Sequence, residues 1–166
     1  LCAWARPDVA PDQLARLPLG TVNEGLLRLR RALFGPRLQA RVVCEHCGEP
    51  LELALDVADL LPAAPLAAAP ELQLEGLRLR LPDSTDLAAV NSAASVQAAA
   101  DQLLDRCCLE RPTGAKLSTH MRERAEAWLE TADPLADLRL QLNCDACGHV
   151  WPAALDPATW LWDEVQ

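Results

Sequence analysis

The sequence predicts an α+β domain in which two cysteine-bearing β-hairpins, built like a zinc ribbon, receive an insertion of helices. Three observations predict it. Cys44-Glu45-His46-Cys47-Gly48 and Cys144-Asp145-Ala146-Cys147-Gly148 repeat one motif at a spacing of one hundred residues. Each motif is flanked by residues that alternate apolar and polar, the period of a half-buried strand. The chain between the motifs reads largely with helical period.

At 166 residues the chain is long enough for one domain with a sizeable core. We therefore expect a single domain over 1–166. It divides into an N-terminal helical segment, 1–36, two zinc-hairpin halves at about 37–61 and 137–166, and a strand-and-helix insertion at about 71–133. Apolar residues make up 51% of the chain but aromatics only 4%, so Leu and Ala must build the interior. The formal net charge is −9. That argues against a nucleic-acid partner, because phosphate-backbone binding needs clustered Lys and Arg.

The first confident element is a helix from Thr21 to about Phe34. Thr21 and Glu24 have the spacing of a capping box, and Val22, Leu26, Leu29 and Leu33 recur at helical intervals. Gly35-Pro36 ends it. Arg28, Arg30 and Arg31 read as a solvated face, or as a patch for an acidic partner. Strands follow at Leu38–Val43 and Leu51–Leu55, on either side of the first cysteine pair. A short helical turn is expected over Val57–Leu61, then a proline-rich loop over 62–70. Leu72, Leu74, Leu77, Leu79 and Leu81 alternate around Gly76, which reads as one further strand with a bulge.

The insertion then turns helical. A short helix is expected from Asp86 to about Ser92. A second, capped by Ser95, runs to about Cys108, with Val96, Ala99, Ala100, Leu103, Leu104, Cys107 and Cys108 on one face. Pro112 and Gly114 break the chain. A third helix runs from about Ser118 to Thr131, with Met121, Ala125, Trp128, Leu129 and Ala132 as its apolar face, and Asp133-Pro134 stops it. Leu138, Leu140 and Leu142 alternate into the second cysteine pair, and Val150-Trp151 resume beyond it. Asp156-Pro157 opens a terminal helix, with Asp at the N-cap and Pro at N1.

The two cysteine regions match beyond the cysteines. Cys44, Cys47, Gly48, Leu55 and Asp56 correspond to Cys144, Cys147, Gly148, Leu155 and Asp156, and Ala-Leu-Asp recurs whole at 54–56 and 154–156. Each half thus reads strand, knuckle, strand, Asp, helix. We expect two similar hairpins facing each other over one ion.

The chemistry of that ion follows from the ligands. A two-residue spacer lets both sulfurs of a tight turn point one way. The following Gly permits positive φ and turns backbone N–H groups toward the thiolates. Two such knuckles give Cys44, Cys47, Cys144 and Cys147, a complete tetrahedral set for a structural Zn²⁺ with no open position. A thiol-redox role for the Cys-x-x-Cys pairs is a competing reading. It wants the first Cys at a helix N-terminus, where the thiol is acidified, whereas Glu49–Leu53 reads as strand. A nucleic-acid-binding zinc ribbon is the other, and the acidic balance opposes it. His46 and His149 are expected to be solvent-facing neighbours of the cysteines, and Cys107 and Cys108 to be buried structural residues.

Seven cysteines, an odd number, in this pattern fit a reducing compartment better than a disulfide framework. The opening residues lack the apolar core of a signal peptide. No apolar run approaches a membrane span, so direct membrane insertion is not expected. Neither a Ser-His-Asp set nor a phosphate-binding Gly-rich loop is present, and no enzymatic activity is expected. Trp151 and one of Trp160 and Trp162 should pack onto the hairpins. Trp160 and Trp162 lie two apart on a helix and cannot share a face, so one should project as a partner anchor.

The order of these runs carries a resemblance. Leu17-Pro18-Leu19-Gly20, Leu26-Leu27-Arg28-Leu29-Arg30 and Leu33-Phe34-Gly35 lead into the first knuckle. Asp133-Pro134-Leu135-Ala136-Asp137 precedes the second, Gly148-His149 closes it, and Leu161-Trp162-Asp163-Glu164 follows. Taken together the chain resembles the T4-type phage baseplate proteins of the hub assembly chaperone group, with relatives in gene clusters for phage-tail-like contractile injection particles. The resemblance implies a non-enzymatic part in building a contractile-tail baseplate. Its implied partners are hub, spike or wedge proteins, with cytoplasmic residence during assembly and retention in the baseplate of the particle left open. Trp160, Trp162, Arg28 and Arg31 are the candidate partner-binding residues.

Overall fold

A computed structural model describes residues 2–62, 70–111 and 117–165. The proline-rich stretch at 63–69 and the predicted break at Pro112 and Gly114 lie outside them. The elements in chain order are α1 (Cys2–Ala5), a 3-10 turn at Leu14–Arg16, α2 (Leu19–Phe34), β1 (Arg37–Val43), β2 (Pro50–Asp56), α3 (Val57–Leu60), β3 (Leu72–Leu74), β4 (Leu77–Leu79), α4 (Ser84–Val90), α5 (Val96–Cys107), β5 (Cys108–Glu110), α6 (Thr119–Ala132), β6 (Leu138–Asn143), β7 (Val150–Leu155) and α7 (Pro157–Val165). The mixed helix-and-sheet class expected from the sequence is what forms. No helix among the described residues is long and apolar enough to cross a membrane.

The strands make three separate antiparallel sheets, ordered β1-β2, β3-β4-β5 and β6-β7. The two cysteine hairpins share one register. Leu38 pairs with Leu55 and Val43 with Pro50, and one hundred residues on Leu138 pairs with Leu155 and Asn143 with Val150. Their inward faces also correspond. Leu38, Ala40, Val42, Leu51, Leu53 and Leu55 turn in from the first hairpin, as do the residues numbered one hundred higher from the second. Side-chain alternation has period two, so a one-residue slip in either hairpin would expose its whole apolar face.

Those faces meet in two clusters. Near the knuckles, Leu142 and Trp151 pack with Cys44 and Cys144, and Val42, Leu51, Leu53, Leu140 and Ala153 close around them. At the other end, Leu27 of α2, Leu38 and Val57 gather Leu55, Leu60, Leu61, Leu138 and Trp160. The insertion has its own core of Leu77, Leu79, Leu104, Leu117 and Ala125, flanked by Met121, Trp128 and Leu129. Large-to-small changes in such cores cost about 2–5 kcal/mol.

Helix α2 departs from its predicted start. It begins at Leu19, two residues before Thr21, and Thr21 and Glu24 form no capping box. Pro18 occupies the N-cap without a side-chain bond. The orphan N–H of Gly20 donates instead to Asp133 Oδ2 at 3.0 Å, across 113 residues. Nearby, Asn23 Nδ2 donates to the Leu135 carbonyl at 2.8 Å. The cap therefore comes from a distant turn, and no local pattern could announce it. Glu24 is buried and pairs with Arg28 one turn on.

Arg30 is the second departure. The sequence predicts it, with Arg28 and Arg31, on a solvated face or a patch for an acidic partner, yet it is 5% exposed. Its guanidinium makes a bidentate pair with Glu164 of α7, at 2.8 and 2.6 Å. It also donates to the carbonyls of Gly35 and Arg37. One arginine thus closes the end of α2, fixes the entry into β1 and holds the terminal helix. Such two-pronged geometry is what the planar guanidinium supplies.

The insertion corrects three expectations. The Leu72–Leu81 stretch is a hairpin, because Glu75 and Gly76 both take positive φ, the signature of a tight two-residue turn that reverses the chain. Helix α4 begins at Ser84. Asp83 caps it and Asp86 completes the capping box. In α5, Ser95 is the cap as expected, but Val96 is exposed and Cys108 has left the helix for β5. The β4-β5 pairing claims Cys108, a tertiary demand that overrides helical period.

Asp86 is fully buried and carries a structural charge network. Its carboxylate accepts two bonds from Arg80, at 2.6 and 3.0 Å, one from Arg106 at 3.0 Å and one from the Asp83 N–H at 3.1 Å. Burial alone would raise its pKa, but Arg80, the Asp83 N–H and Arg106 outweigh burial and hold it below the usual carboxylate range. A depressed folded value means this stabilisation is complete above the unfolded pKa of about 3.9 and is lost as pH falls through the folded value. Urea titrations across pH 2–6 should show this acid-dependent component in the parent chain, and Asp86→Asn should lack it.

A Cβ on Gly20 would overlap Asp133 Oδ1 and Cγ and crowd the Ala136 amide. Gly20→Ala should therefore lower stability by about 2 kcal/mol, read as a reduced urea midpoint. The same change at Gly35, whose Cβ would meet nothing within 4 Å, tests only positive φ.

Candidate metal centre

Each knuckle is built by the same backbone bonds. The Cys44 N–H donates to the Glu49 carbonyl at 2.8 Å, and the Gly48 N–H to the Cys44 carbonyl at 2.9 Å. In the second knuckle Cys144 donates to His149 at 2.9 Å, and Gly148 to Cys144 at 2.7 Å. Gly48 and Gly148 take φ of 77° and 71°. A residue with a Cβ would be strained in either place. The symmetry continues past the strands. Asp56 Oδ1 caps Ala58 at 2.8 Å, and Asp156 Oδ1 caps Ala158 at 2.9 Å.

This construction brings all four predicted cysteines together. Their Sγ atoms lie within 4.8 Å of one another. Across the hairpins Cys44 faces Cys147 at 3.8 Å, and Cys47 faces Cys144 at 3.6 Å. A tetrahedron with metal–sulfur bonds of about 2.3 Å has edges of about 3.8 Å, so the spacing suits a four-thiolate ion. None of the four forms a disulfide. Cys44 and Cys144 are buried, while Cys47 and Cys147 reach the surface. The arrangement can hold one metal ion and leaves it no protein-free coordination position.

Crowding sets the protonation of the sulfurs. Burial opposes ionisation of Cys44, but N–H groups of Cys47 and His46, then the Cys47 and Cys144 thiols, outweigh it and bring the thiol down to about 7. For Cys47 the Glu49 N–H favours thiolate, yet the Cys147 sulfur, burial, and the Cys144 and Cys44 sulfurs push it up to about 12. Cys147 is also raised. The His149 N–H favours its ionisation, but burial and the Cys144 and Cys44 sulfurs prevail. Cys44 ionises readily while Cys47 and Cys147 resist, because like charges gather at one point. A bound cation removes that resistance.

The sequence predicts His46 and His149 as solvent-facing neighbours of the cysteines; His46 is exposed and His149 half-buried. The structure stacks them across the two hairpins, with ring centroids 5.4 Å apart, and His149 stacks in turn on Trp151 at 5.4 Å. His149 Nε2 also lies 3.3 Å from Glu45 Oε1. The signal was the position of both histidines inside or beside a knuckle. Trp151 is buried beside the cysteines.

The candidate partner residues separate. Trp160 is half-buried in the cluster around Leu27 and Leu38, while Trp162 is 54% exposed. Arg28 is exposed and bonded to Glu24, and Arg31 is exposed. Cys107 is buried, and burial, with Asp86 nearby, pushes its thiol up to about 11. Such a thiol is a poor nucleophile.

Comparison with protein-family models, with curated proteins and with solved structures found no match to this chain.

Replacing Cys144 by Ser should abolish stoichiometric metal binding and deprotect both hairpins in hydrogen exchange. The helical insertion, with a core of its own, should stay protected longer. Mass spectrometry of the intact chain and of its peptides reads both effects.

Proposed function

We propose that this chain is a non-enzymatic structural or assembly protein whose hairpins are stapled by one Zn²⁺ on Cys44, Cys47, Cys144 and Cys147. The observation that carries the reading is the closed set of four sulfurs. A catalytic zinc keeps a position for water or substrate, and four thiolates leave none. Tetrahedral sulfur coordination also suits iron, and zinc is preferred because a single ion without redox chemistry meets a purely structural demand. Ion binding at such sites supplies on the order of 10 kcal/mol of folding free energy near neutral pH.

The setting we propose is the baseplate of a contractile phage tail or phage-tail-like injection particle, with hub, spike or wedge proteins as partners. The ordered runs from Leu17 to Glu164 support it. The exposed Trp162 is the proposed anchor, with Arg28 and Arg31 as candidate contacts, since buried aromatics and arginines dominate binding energy at interfaces. The net charge of −9 argues against a nucleic-acid partner.

Co-expression of the tagged chain with the tail genes of its own cluster tests this. The expected result is co-purification with a hub, spike or wedge protein, weakened at least tenfold by Trp162→Ala, and loss of assembled baseplates when the gene is deleted. Normal particles after deletion, with no tail protein retained on the tagged chain, would remove the baseplate reading and leave the metal site untouched.

A further inference from the structure

The four sulfurs of the metal centre differ in access. Cys47 and Cys147 are exposed, and Cys44 and Cys144 are buried. Contacts between sulfurs pair one kind with the other across the hairpins. Exposed Cys47 meets buried Cys144 at 3.6 Å, and exposed Cys147 meets buried Cys44 at 3.8 Å. Among the described residues these are the two sulfur–sulfur contacts with hydrogen-bonding geometry, and neither lies within a knuckle. An accessible thiolate beside a resolving sulfur is the arrangement in which oxidation runs on to a disulfide. Each pair needs to close by less than about 2 Å to reach the disulfide length of about 2.05 Å.

Packing that owes nothing to the ion holds these partners opposite each other. Cys44 and Cys144 sit in one buried cluster with Leu142 and Trp151. Beside Cys47, the His46 ring stacks on His149 of the other hairpin at 5.4 Å, and His149 Nε2 lies 3.3 Å from Glu45 Oε1.

We propose that the cysteine cluster is a redox-responsive staple, which a hydroperoxide converts to crossed disulfides between Cys44 and Cys147 and between Cys47 and Cys144, with release of the ion. The proposal rests on the four-thiolate zinc reading and not on the baseplate setting. The exposed thiolate of each pair attacks the hydroperoxide. The O–O bond breaks, the sulfur keeps one oxygen as a sulfenic acid, and the other leaves as an alkoxide that takes a proton from solvent. The buried sulfur facing it then attacks the sulfenic sulfur. The S–S bond forms, and the expelled hydroxide takes a proton and leaves as water. Each disulfide thus consumes one hydroperoxide, reduced to an alcohol and water by two electrons from the sulfur pair. With all four sulfurs bonded, no thiolate remains to hold the ion. Crossed bonds keep the two hairpins joined, whereas disulfides within the knuckles would leave them held by packing alone. The closure of the fold therefore survives a change from reducing to oxidising surroundings.

Hydrogen peroxide treatment of the zinc-loaded chain tests the proposal. Zinc is counted first, its release is followed with a chromogenic chelator, and disulfides are mapped by mass spectrometry without reduction. Proteolysis after Glu45 and Asp145 divides each knuckle between its cysteines and so distinguishes the pairings. The expected result is complete zinc release, peptides linking Cys44 to Cys147 and Cys47 to Cys144, and hairpins still protected in hydrogen exchange. A dithiol reductant should restore zinc binding. Stripping the zinc with a chelator and no oxidant should instead deprotect both hairpins. Any other pairing, sulfinic acid in place of disulfide, or zinc retained with its thiols intact would overturn the proposal and leave the metal reading standing. A chain that binds no zinc would remove that reading. Peroxide mapping of that chain still decides the exchange, with crossed links supporting it and any other pairing overturning it.

Discussion

Four sulfurs meeting at one point constrain everything else in this molecule. They come from two hairpins separated by about one hundred residues, and the chain between them must leave and return within a few ångströms. Closing so long a loop is entropically expensive, and a cross-link of that span is worth about 4–5 kcal/mol in the chain-entropy picture. The hairpins pair only within themselves and share no sheet. What joins them is side-chain packing around Trp151 and Leu142, and the thiolate cluster itself. An ion bound there would neutralise the crowded sulfurs.

The structure supports that closure with polar ties at the other end of the hairpins. Arg30 binds the terminal helix through Glu164 and the start of β1 through the Arg37 carbonyl. Asp133 caps α2 from just before β6. The Glu164 and Asp133 ties link the N-terminal helix to the flanks of the C-terminal hairpin, and the Arg37 tie links it to the first hairpin. The insertion keeps its own core and its own charge network around Asp86, and meets the start of α2 through Pro82 and Asp133.

Much of this was legible in the residues. The knuckles, the strand alternation, the Asp156-Pro157 helix start and the Ser95 cap all obey short-range rules, and they formed where those rules put them. The hundred-residue repeat even carried the register of the second hairpin. All the misses but one share a cause. Thr21 lost its role because Asp133 caps the helix from afar, and Arg30 looked solvated because its partners lie at Arg37 and Glu164. Cys108 followed a strand pairing that helical period does not reveal. Glu75-Gly76 was a local signal read too weakly, since two positive-φ residues in a row reverse a chain where one only bends it.

The proposed single ion on the sulfurs of Cys44, Cys47, Cys144 and Cys147 would join the two ends of the fold. X-ray absorption at the zinc edge, on the purified chain with its metal content counted, tests it most directly. The account predicts one zinc per chain with four sulfur neighbours at about 2.3 Å and no nitrogen or oxygen in the coordination shell. A shell of mixed sulfur and lighter atoms, or a chain that folds with both hairpins protected and no metal bound, would contradict it.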